Sequence, residues 1–480
     1  MTNTAHPSAT ANVDYRQALD RAHELALAYL EGLPERVVSH AVGPAEMAEC
    51  LVGAFPETGC APEDALSEWF QRAERGIVAS PGPRFFGFVN GGTTPAAIAG
   101  DWLASAIDQN AGLWLSSPAA VQTELAVLDW LKDLFHLPPE WSGALTSGAT
   151  MANMVGISSG RQWVGEHLGF DASRDGLSGN PAIPVISTTE IHASARKVLG
   201  SLGLGRSKAV ALPAPGGAVD LEALERELRS NAGPVLVIAN AGEVNSGAFD
   251  PIDRIADLCA AHAPGAWLHV DGAFGLFAAA SPKHRHLLSG IERADSVASD
   301  GHKWLNVPYD CGFAFVRDQE VLRAAFAVDA SYLTTAPGAP WDPYTHVPEM
   351  SRRFRGLAAW CALRAAGREG YRDIVERCVE NASAFAQLVE QTPGLSLVAP
   401  APLNIVCFRA EPDGIAPEAL DDLNRNLVSA IQRDGRAFVT GTYWRERFAI
   451  RAAFDNWTTT LDDVAILQNV VNDSLRELTR

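Results

Sequence analysis

The sequence predicts an α/β protein. A mainly parallel central sheet carries helices on both faces, preceded by an N-terminal helical segment and followed by a small α+β domain. Three observations support this. Short apolar runs alternate with helix-like segments as far as Val316. Those runs are apolar at consecutive positions, as strands buried on both faces must be. No strand candidate occurs in the first 80 or so residues.

The elements follow in order. Residues 1–12 are small and polar and predict no element. Residues 14–31 place Leu19, Ala22, His23, Ala26 and Leu30 near helical spacing, and further helices are expected at about 44–53 and 62–75. This segment is too small to stand alone, so it must pack on something, a second subunit included. Ser117-Pro118 opens a helix with a capping residue and proline at the first position. Leu125, Leu128, Leu131 and Phe135 line one face of it. Strands are expected at Ile183–Ser187, Ala209–Leu212, Val235–Ala239, Trp267–Val270, Ser296–Ala298 and Gly312–Val316. Helices near 193–201, 219–231 and 251–262 separate them. After about 376 the pattern changes to strands at Leu403–Arg409 and Phe448–Ala453 with helices near 416–433 and 460–478. The expected segments are 1–85, 86–375 and 376–480.

Composition narrows the function. The 480 residues are 47% hydrophobic and 20% charged, an ordinary globular balance. A net charge of −19 argues against nucleic acid or an anionic membrane as partner. Seven scattered cysteines without a CxxC pair predict reduced thiols rather than a disulfide framework or a zinc cage, so no metal is expected. The N-terminus lacks the pattern of a signal peptide. The apolar stretch Pro95–Leu115 is broken by Asp101, Asp108 and Asn110, so it predicts no membrane span. A soluble, cytoplasmic protein is expected.

Four places could carry chemistry. In Ala144–Gly156 a short strand ends in Thr146-Ser147-Gly148-Ala149-Thr150 and a helix follows at once. Free amides at a helix start form an anion site suited to phosphate, although a plain Ser/Thr cap reads the same way. No Walker lysine follows, which excludes a nucleotide triphosphate. Asp271 ends an apolar strand and precedes Gly272 and Ala273. Ligands of parallel sheets bind beyond such strand ends, although Asp271 could equally cap the next turn. Lys303 sits between His302 and Trp304 before an apolar stretch. Apolar surroundings would favour the neutral amine that imine formation needs, whereas the plain alternative is a snorkelling surface lysine. His192 lies just past a strand and alone reads as a core or capping histidine. Taken together in this order, the four match what pyridoxal phosphate requires: an anion site, a flat ring partner, a carboxylate for the pyridine nitrogen and an amine for the aldehyde.

The motifs extend the match. They are Ser296, His302-Lys303-Trp304, Tyr309-Asp310-Cys311 and Arg317, with RFFGFVNGG at 84–92, Ser116-Ser117-Pro118, HVDGA at 269–273 and SRRFR at 351–355. With them the chain resembles the pyridoxal-phosphate-dependent group II amino-acid decarboxylases from about residue 14 to 475. Ala314 departs from the usual larger apolar residue. The resemblance implies the fold-type I (aspartate-aminotransferase-like) architecture. It also implies a homodimer that shares its active site, with the N-terminal helices clamping the partner. By the same resemblance Lys303 would bond the cofactor aldehyde, Asp271 would hold the pyridine nitrogen, and His192 would stack on the ring. Gly148, Ala149, Thr150 and His302 would hold the phosphate with Asp300 beside them, and Ala273 would pack on the ring. Residues 328–347 would close over the site, and Tyr332 would return a proton to Cα.

The implied reaction is decarboxylation of an L-amino acid to the amine and carbon dioxide. Tyr309-Asp310-Cys311 resembles the aromatic-acting branch. Phe85, Phe86, Phe88 and Trp114 would build an aromatic pocket or else be plain core. Glu243 replaces a threonine common in relatives, and would repel acidic substrates or pair with a cationic group. A non-aromatic amino acid, a decarboxylation-dependent aldehyde synthase and an aminotransferase remain the alternatives.

Overall fold

A computed structural model describes residues 15–328, 338 and 341–480. The chain begins with three helices, α1 (Tyr15–Glu31), α2 (Pro44–Leu51) and α3 (Pro62–Ala73). None of the residues of α1 or α2 is buried. Two helices lead into the sheet, α4 (Pro95–Ile107) and α5 (Pro118–Phe135). Pro118 starts α5 as expected, but the Ser117 side chain makes no capping bond.

The large sheet then forms through β1 (Ser142–Thr146), α6 (Ala149–His167), β2 (Val185–Thr188), α7 (Ala193–Ser201), β3 (Val210–Leu212), α8 (Leu221–Ser230), β4 (Val235–Asn240), α9 (Ile252–Ala261), β5 (Ala266–Asp271), β6 (Ser296–Asp300), β7 (Gly312–Val316) and α10 (Gln319–Phe326). Its seven strands run in the order β1-β7-β6-β5-β4-β2-β3. The strands from β6 to β3 pair in parallel, and β7 lies antiparallel between β1 and β6. Only residues 301–311 join β6 to β7, too few for the crossover that a parallel return needs.

The small domain follows as α11 (Gly356–Gln391), β8 (Leu395–Leu397), β9 (Ile405–Ala410), α12 (Leu420–Asp434), β10 (Thr440–Trp444), β11 (Arg447–Ala453) and α13 (Leu461–Leu478). Its four strands form an antiparallel sheet ordered β10-β11-β9-β8. Strand β8 is only three residues long, and β10 (TGTYW) has no apolar run, so neither is legible as a strand in the sequence. The expected boundary at 376 falls inside α11. Residues of α11 up to Cys378 pack in the large core, and those from Ala382 onward pack in the small one.

Two aromatics expected near a substrate pack elsewhere, Phe86 in the small core and Phe85 in a separate cluster with Val38 and Ala79. Phe86 packs in the small core with its ring centroid 4.9 Å from that of Phe454. Phe85 stacks on Phe438, also at 4.9 Å. The strap that carries them is bonded on both sides to the small domain, with Phe86 N–H donating to Phe438 O and Ala453 N–H donating to Phe86 O. All seven cysteines are free thiols. Among the described residues no helix is long and apolar enough to cross a membrane, and no group of side chains is arranged to hold a metal ion.

One buried ion pair ties the helices to the sheet. Arg352 donates from Nη1 and Nη2 to the two carboxylate oxygens of Glu124, at 2.9 Å each, and Nη1 also reaches Ala111 O at 2.7 Å. Glu124 in turn accepts the Leu145 amide of β1 at 2.9 Å. Both side chains are almost wholly buried, so removing one strands the other charge in the interior. Arg352→Ala is expected to destabilise the fold by about 3–5 kcal/mol in denaturant titration. The apolar double variant Glu124→Leu/Arg352→Met should recover much of that loss.

Candidate active site

The carboxyl ends of β4, β5 and β6 open on a cavity of about 780 Å³. Its walls come from the start of α6, the turn before α7, the loop after β4 and the turn after β6, with Thr442 and Arg451 of the small domain. At the start of α6, Gly148 has φ 152° and ψ 176°, a region open to glycine almost alone. That turn leaves the first amides of the helix, Ala149 and Thr150, facing the cavity wall as an anion site. His302 and Asp300 border the same space, with His302 Nδ1 2.8 Å from Asp300 Oδ1. The Tyr309 ring stacks on His302 with centroids 4.1 Å apart, and its hydroxyl meets Asn90 Oδ1. Burial, assisted by Asp300, pushes the Tyr309 phenol up to about 12.

Asp271 is buried at the end of β5. Its Oδ1 accepts the Ala273 amide at 3.2 Å, and its Oδ2 accepts from Asn153 Nδ2 at 2.9 Å. The capping role and a ligand-facing role therefore coexist, because a narrow recess adjoining the cavity is lined by Asp271, Ala273, His192 and Lys303. His192 is also both things at once. It caps α7, with Nδ1 accepting the Ser194 amide at 3.2 Å and lying 2.7 Å from Ser194 Oγ. Much of its surface faces the open cavity, yet it is recessed enough that burial lowers its pKa, opposed by Asp271.

Lys303 projects from a single wide turn, residues 301–305, which its own backbone interrupts with ψ −107°. The turn is pinned where Gly91 N–H donates to His302 O at 3.1 Å. Its neighbours Trp304 and Leu305 are buried, but the lysine itself lines the cavity, with Nζ 5.6 Å from the Phe274 ring centroid. The amine is therefore not in purely apolar surroundings, since Asp300 and His302 border the same cavity.

Several expectations about the pocket change. Phe85 and Phe86 do not line the cavity, whereas Phe88 does and is 59% exposed. Trp114 is also absent from the wall, and its amide donates to Asp342 Oδ1 at 2.6 Å. Glu243 does face the cavity, but its carboxylate is spent on its own loop. Oε2 accepts from Asn245 N, Ser246 N and Ser246 Oγ at 3.0, 2.7 and 2.8 Å, and Oε1 accepts from Asn245 Nδ2 at 3.1 Å. A carboxylate satisfied four times is a loop cap rather than a charge aimed at a substrate. Tyr332, with most of the expected 328–347 closure, lies outside the described residues.

Three residues escaped the sequence reading. Arg451 lines the cavity from β11, nine-tenths buried, with Nη1 bonded to Val244 O at 3.2 Å and Nε without a partner. Asn153 and His269 form the hydrogen-bonded support behind Asp271. His269 had a readable signal, because residues two apart on a strand share a face. Asn153, on a helix far away in sequence, had none.

A primary amine, a buried carboxylate, an imidazole face and a helix start converge on one cavity. This donor set fits the aldehyde, the ring nitrogen, the ring face and the phosphate of pyridoxal phosphate. With this sheet topology, the class so defined is that of the fold-type I pyridoxal-phosphate enzymes. The pyridoxal-dependent decarboxylase conserved domain matches residues 44–411, and the chain belongs to that family of amino-acid lyases. It is 28% identical to an aromatic-L-amino-acid decarboxylase of Bacillus atrophaeus, over 94% of this chain and 93% of that relative. It is 30% identical to tryptophan decarboxylase 1 of Oryza sativa subsp. japonica, over 92% of this chain and 89% of that relative. A crystal structure of Oryza sativa TDC with PLP and tryptamine superposes with a TM-score of 0.90 at 26% identity, covering 99% of this chain and 100% of that one.

Two measurements test these placements. Borohydride reduction of the holoenzyme followed by peptide mapping is expected to fix the label on Lys303, and a label on another lysine would reassign the amine. Glu243→Gln is expected to lower thermal stability while leaving the preference between acidic and aromatic substrates in place, because its carboxylate serves the loop.

Proposed function

We propose that this chain decarboxylates an aromatic L-amino acid to the amine and carbon dioxide, as a homodimer whose copies complete each other's sites. The observation that carries the substrate reading is the cavity wall formed by Phe88, Val89 and Tyr309, an apolar and aromatic surface beside Lys303. The two relatives described above carry aromatic substrates in their names, which supports it.

When bound, pyridoxal phosphate supplies an electron sink for the bond being broken at Cα. The chain's own residues do the rest. The Lys303 amine, which lines the cavity, would hold the cofactor through its aldehyde. Asp271, bonded to the Asn153 side chain and the Ala273 amide, would pair with the ring nitrogen. His192 would cover the ring face, and its capping bonds fix the orientation of the imidazole. The α6 amides and His302 would hold the phosphate, so the reacting end would be positioned from the opposite side. Tyr332 and His192 are the two candidates for returning a proton to Cα.

A second reading has its own support. Arg196 and Arg451 line the same cavity, and an amino acid with a second carboxylate would suit two guanidinium groups. The dimer reading rests on an apolar groove of about 700 Å³ that includes Leu27, Leu30, Ile98, Trp102 and Trp457. Tyr15, Leu19 and Leu27 of α1 are exposed beside it, a surface that a second copy would cover.

A panel of amino acids, followed by released carbon dioxide and amine, decides the substrate. Aromatic acids are expected to exceed glutamate and aspartate by at least ~10-fold in kcat/KM, since burying a ring contributes ~1.5–3 kcal/mol. The reverse order would favour the arginine-based reading. Asp271→Ala is expected to lower kcat by roughly 10²–10³, the scale seen when one preorganised electrostatic group is removed. Sedimentation is expected at twice the chain mass, and Trp102→Asp should shift it toward the monomer.

A further inference from the structure

Behind the carboxylate of Asp271 lies a run of buried polar side chains that the reaction itself does not use. Trp267 Nε1 donates to Ser296 Oγ at 3.0 Å. Ser296 Oγ lies 2.8 Å from His269 Nδ1, and His269 Nε2 lies 2.8 Å from Asn153 Oδ1. Asn153 Nδ2 then donates to Asp271 Oδ2 at 2.9 Å and reaches Ser194 Oγ at 3.3 Å. Ser194 Oγ completes the run at His192 Nδ1, 2.7 Å away.

The donors and acceptors allow one self-consistent direction. An ionised Asp271 can only accept, so the Asn153 amide must turn its NH₂ toward it. Its oxygen then faces His269, which must carry its hydrogen on Nε2. A neutral ring leaves Nδ1, at 2.8 Å, as the nearer acceptor for the Ser296 hydroxyl, with Gly156 O at 3.4 Å the other, and the Ser296 oxygen accepts from Trp267. Burial agrees, since it lowers the His269 pKa to about 4 and so keeps the ring neutral. The two hydrogens of the Asn153 amide divide between Asp271 and Ser194, and the Ser194 hydroxyl is left to donate to His192. The helix makes room for this arrangement: a Cβ on Gly156 would sit 2.5 Å from the His269 ring. Glycine inside a helix costs ~0.5–1 kcal/mol relative to alanine, so the space comes at a cost in stability.

We propose that Asn153 and His269 are positioning residues that aim the Asp271 carboxylate at the ring nitrogen and, through the Ser194 hydroxyl, add to the hold on the His192 ring, so that one amide orients both groups that would flank the cofactor ring. The proposal rests on the roles given to Asp271 and His192 above. His269 acts only through Asn153, because its hydrogen bond is what prevents the amide from flipping and presenting oxygen to oxygen.

The test is the protonation of the ring nitrogen, read from the ¹⁵N shift of the holoenzyme reconstituted with ¹⁵N-labelled pyridoxal phosphate, together with the cofactor dissociation constant. The parent is expected to show a protonated nitrogen. In Asn153→Leu the shift should move toward the unprotonated value and the dissociation constant should rise ~10-fold, the equivalent of one lost hydrogen bond to a charged group. His269→Leu should reproduce both changes. His269→Gln, which keeps an N–H donor for Asn153, should recover most of the shift and the affinity. Should Asn153→Leu not fold, Asn153→Ala, which also removes the donor to Asp271, serves for the same two readouts. A merely structural role would lower the melting temperature without moving the nitrogen shift. A protonated parent with unchanged shift and affinity in the Asn153 variants therefore overturns the proposal alone. An unprotonated nitrogen in the parent overturns it together with the role of Asp271.

Discussion

A carboxylate buried at the end of an apolar strand must be met by hydrogen-bond donors or give up its charge, and the site is organised around meeting that demand at Asp271. The donors come from two directions. The strand's own continuation supplies the Ala273 amide, and α6 supplies Asn153 from across the sheet. Helix α6 therefore has two duties. Its first turn lines the cavity, and its second turn carries Asn153, which donates to Asp271. One rigid helix thus fixes the spacing between the cavity's helix start and its buried carboxyl group.

The small domain completes the cavity and also holds its loops. Thr442 Oγ1 donates to Asn245 Oδ1 at 2.7 Å, and Arg451 Nη1 donates to Val244 O at 3.2 Å. The loop after β4 is thus clasped from β10 and β11 while Glu243 caps it from within. The lysine turn is tied down in the same way. Asn306, just after it, donates to Asp455 O at 3.2 Å and accepts the Trp457 amide at 3.0 Å. Contacts of the small domain are therefore also contacts that hold the loops lining the cavity.

Charge shows a similar contrast between the global and the local. The chain carries a net charge of −19, whereas its cavity sets Lys303, Arg196 and Arg451 against Glu190, Glu243 and Asp300, with the start of α6 and His302 in the same wall. An anion held there would depend on short-range contacts with dipoles and cations, within a distance that bulk salt screens little. The overall acidity bears on which macromolecules the surface avoids, not on what the cavity takes.

Local pattern determined a large share of this protein. Largely apolar runs place β2 and β4–β7 to within about two residues, because a doubly covered strand is mostly apolar on both faces. Asp271, His192 and Lys303 were legible because each follows a strand and so must emerge at the sheet's carboxyl edge. Tertiary structure alone decided what those residues meet. Phe85, Phe86 and Phe88 are near-neighbours of one residue type, yet the first two enter cores and only the third faces the cavity. Glu243 found its partners in its own loop, and Asn153 met Asp271 across 118 residues of chain. Periodicity reports the face a side chain lies on, a property of a few neighbours. Which group stands opposite that face depends on how distant elements pack.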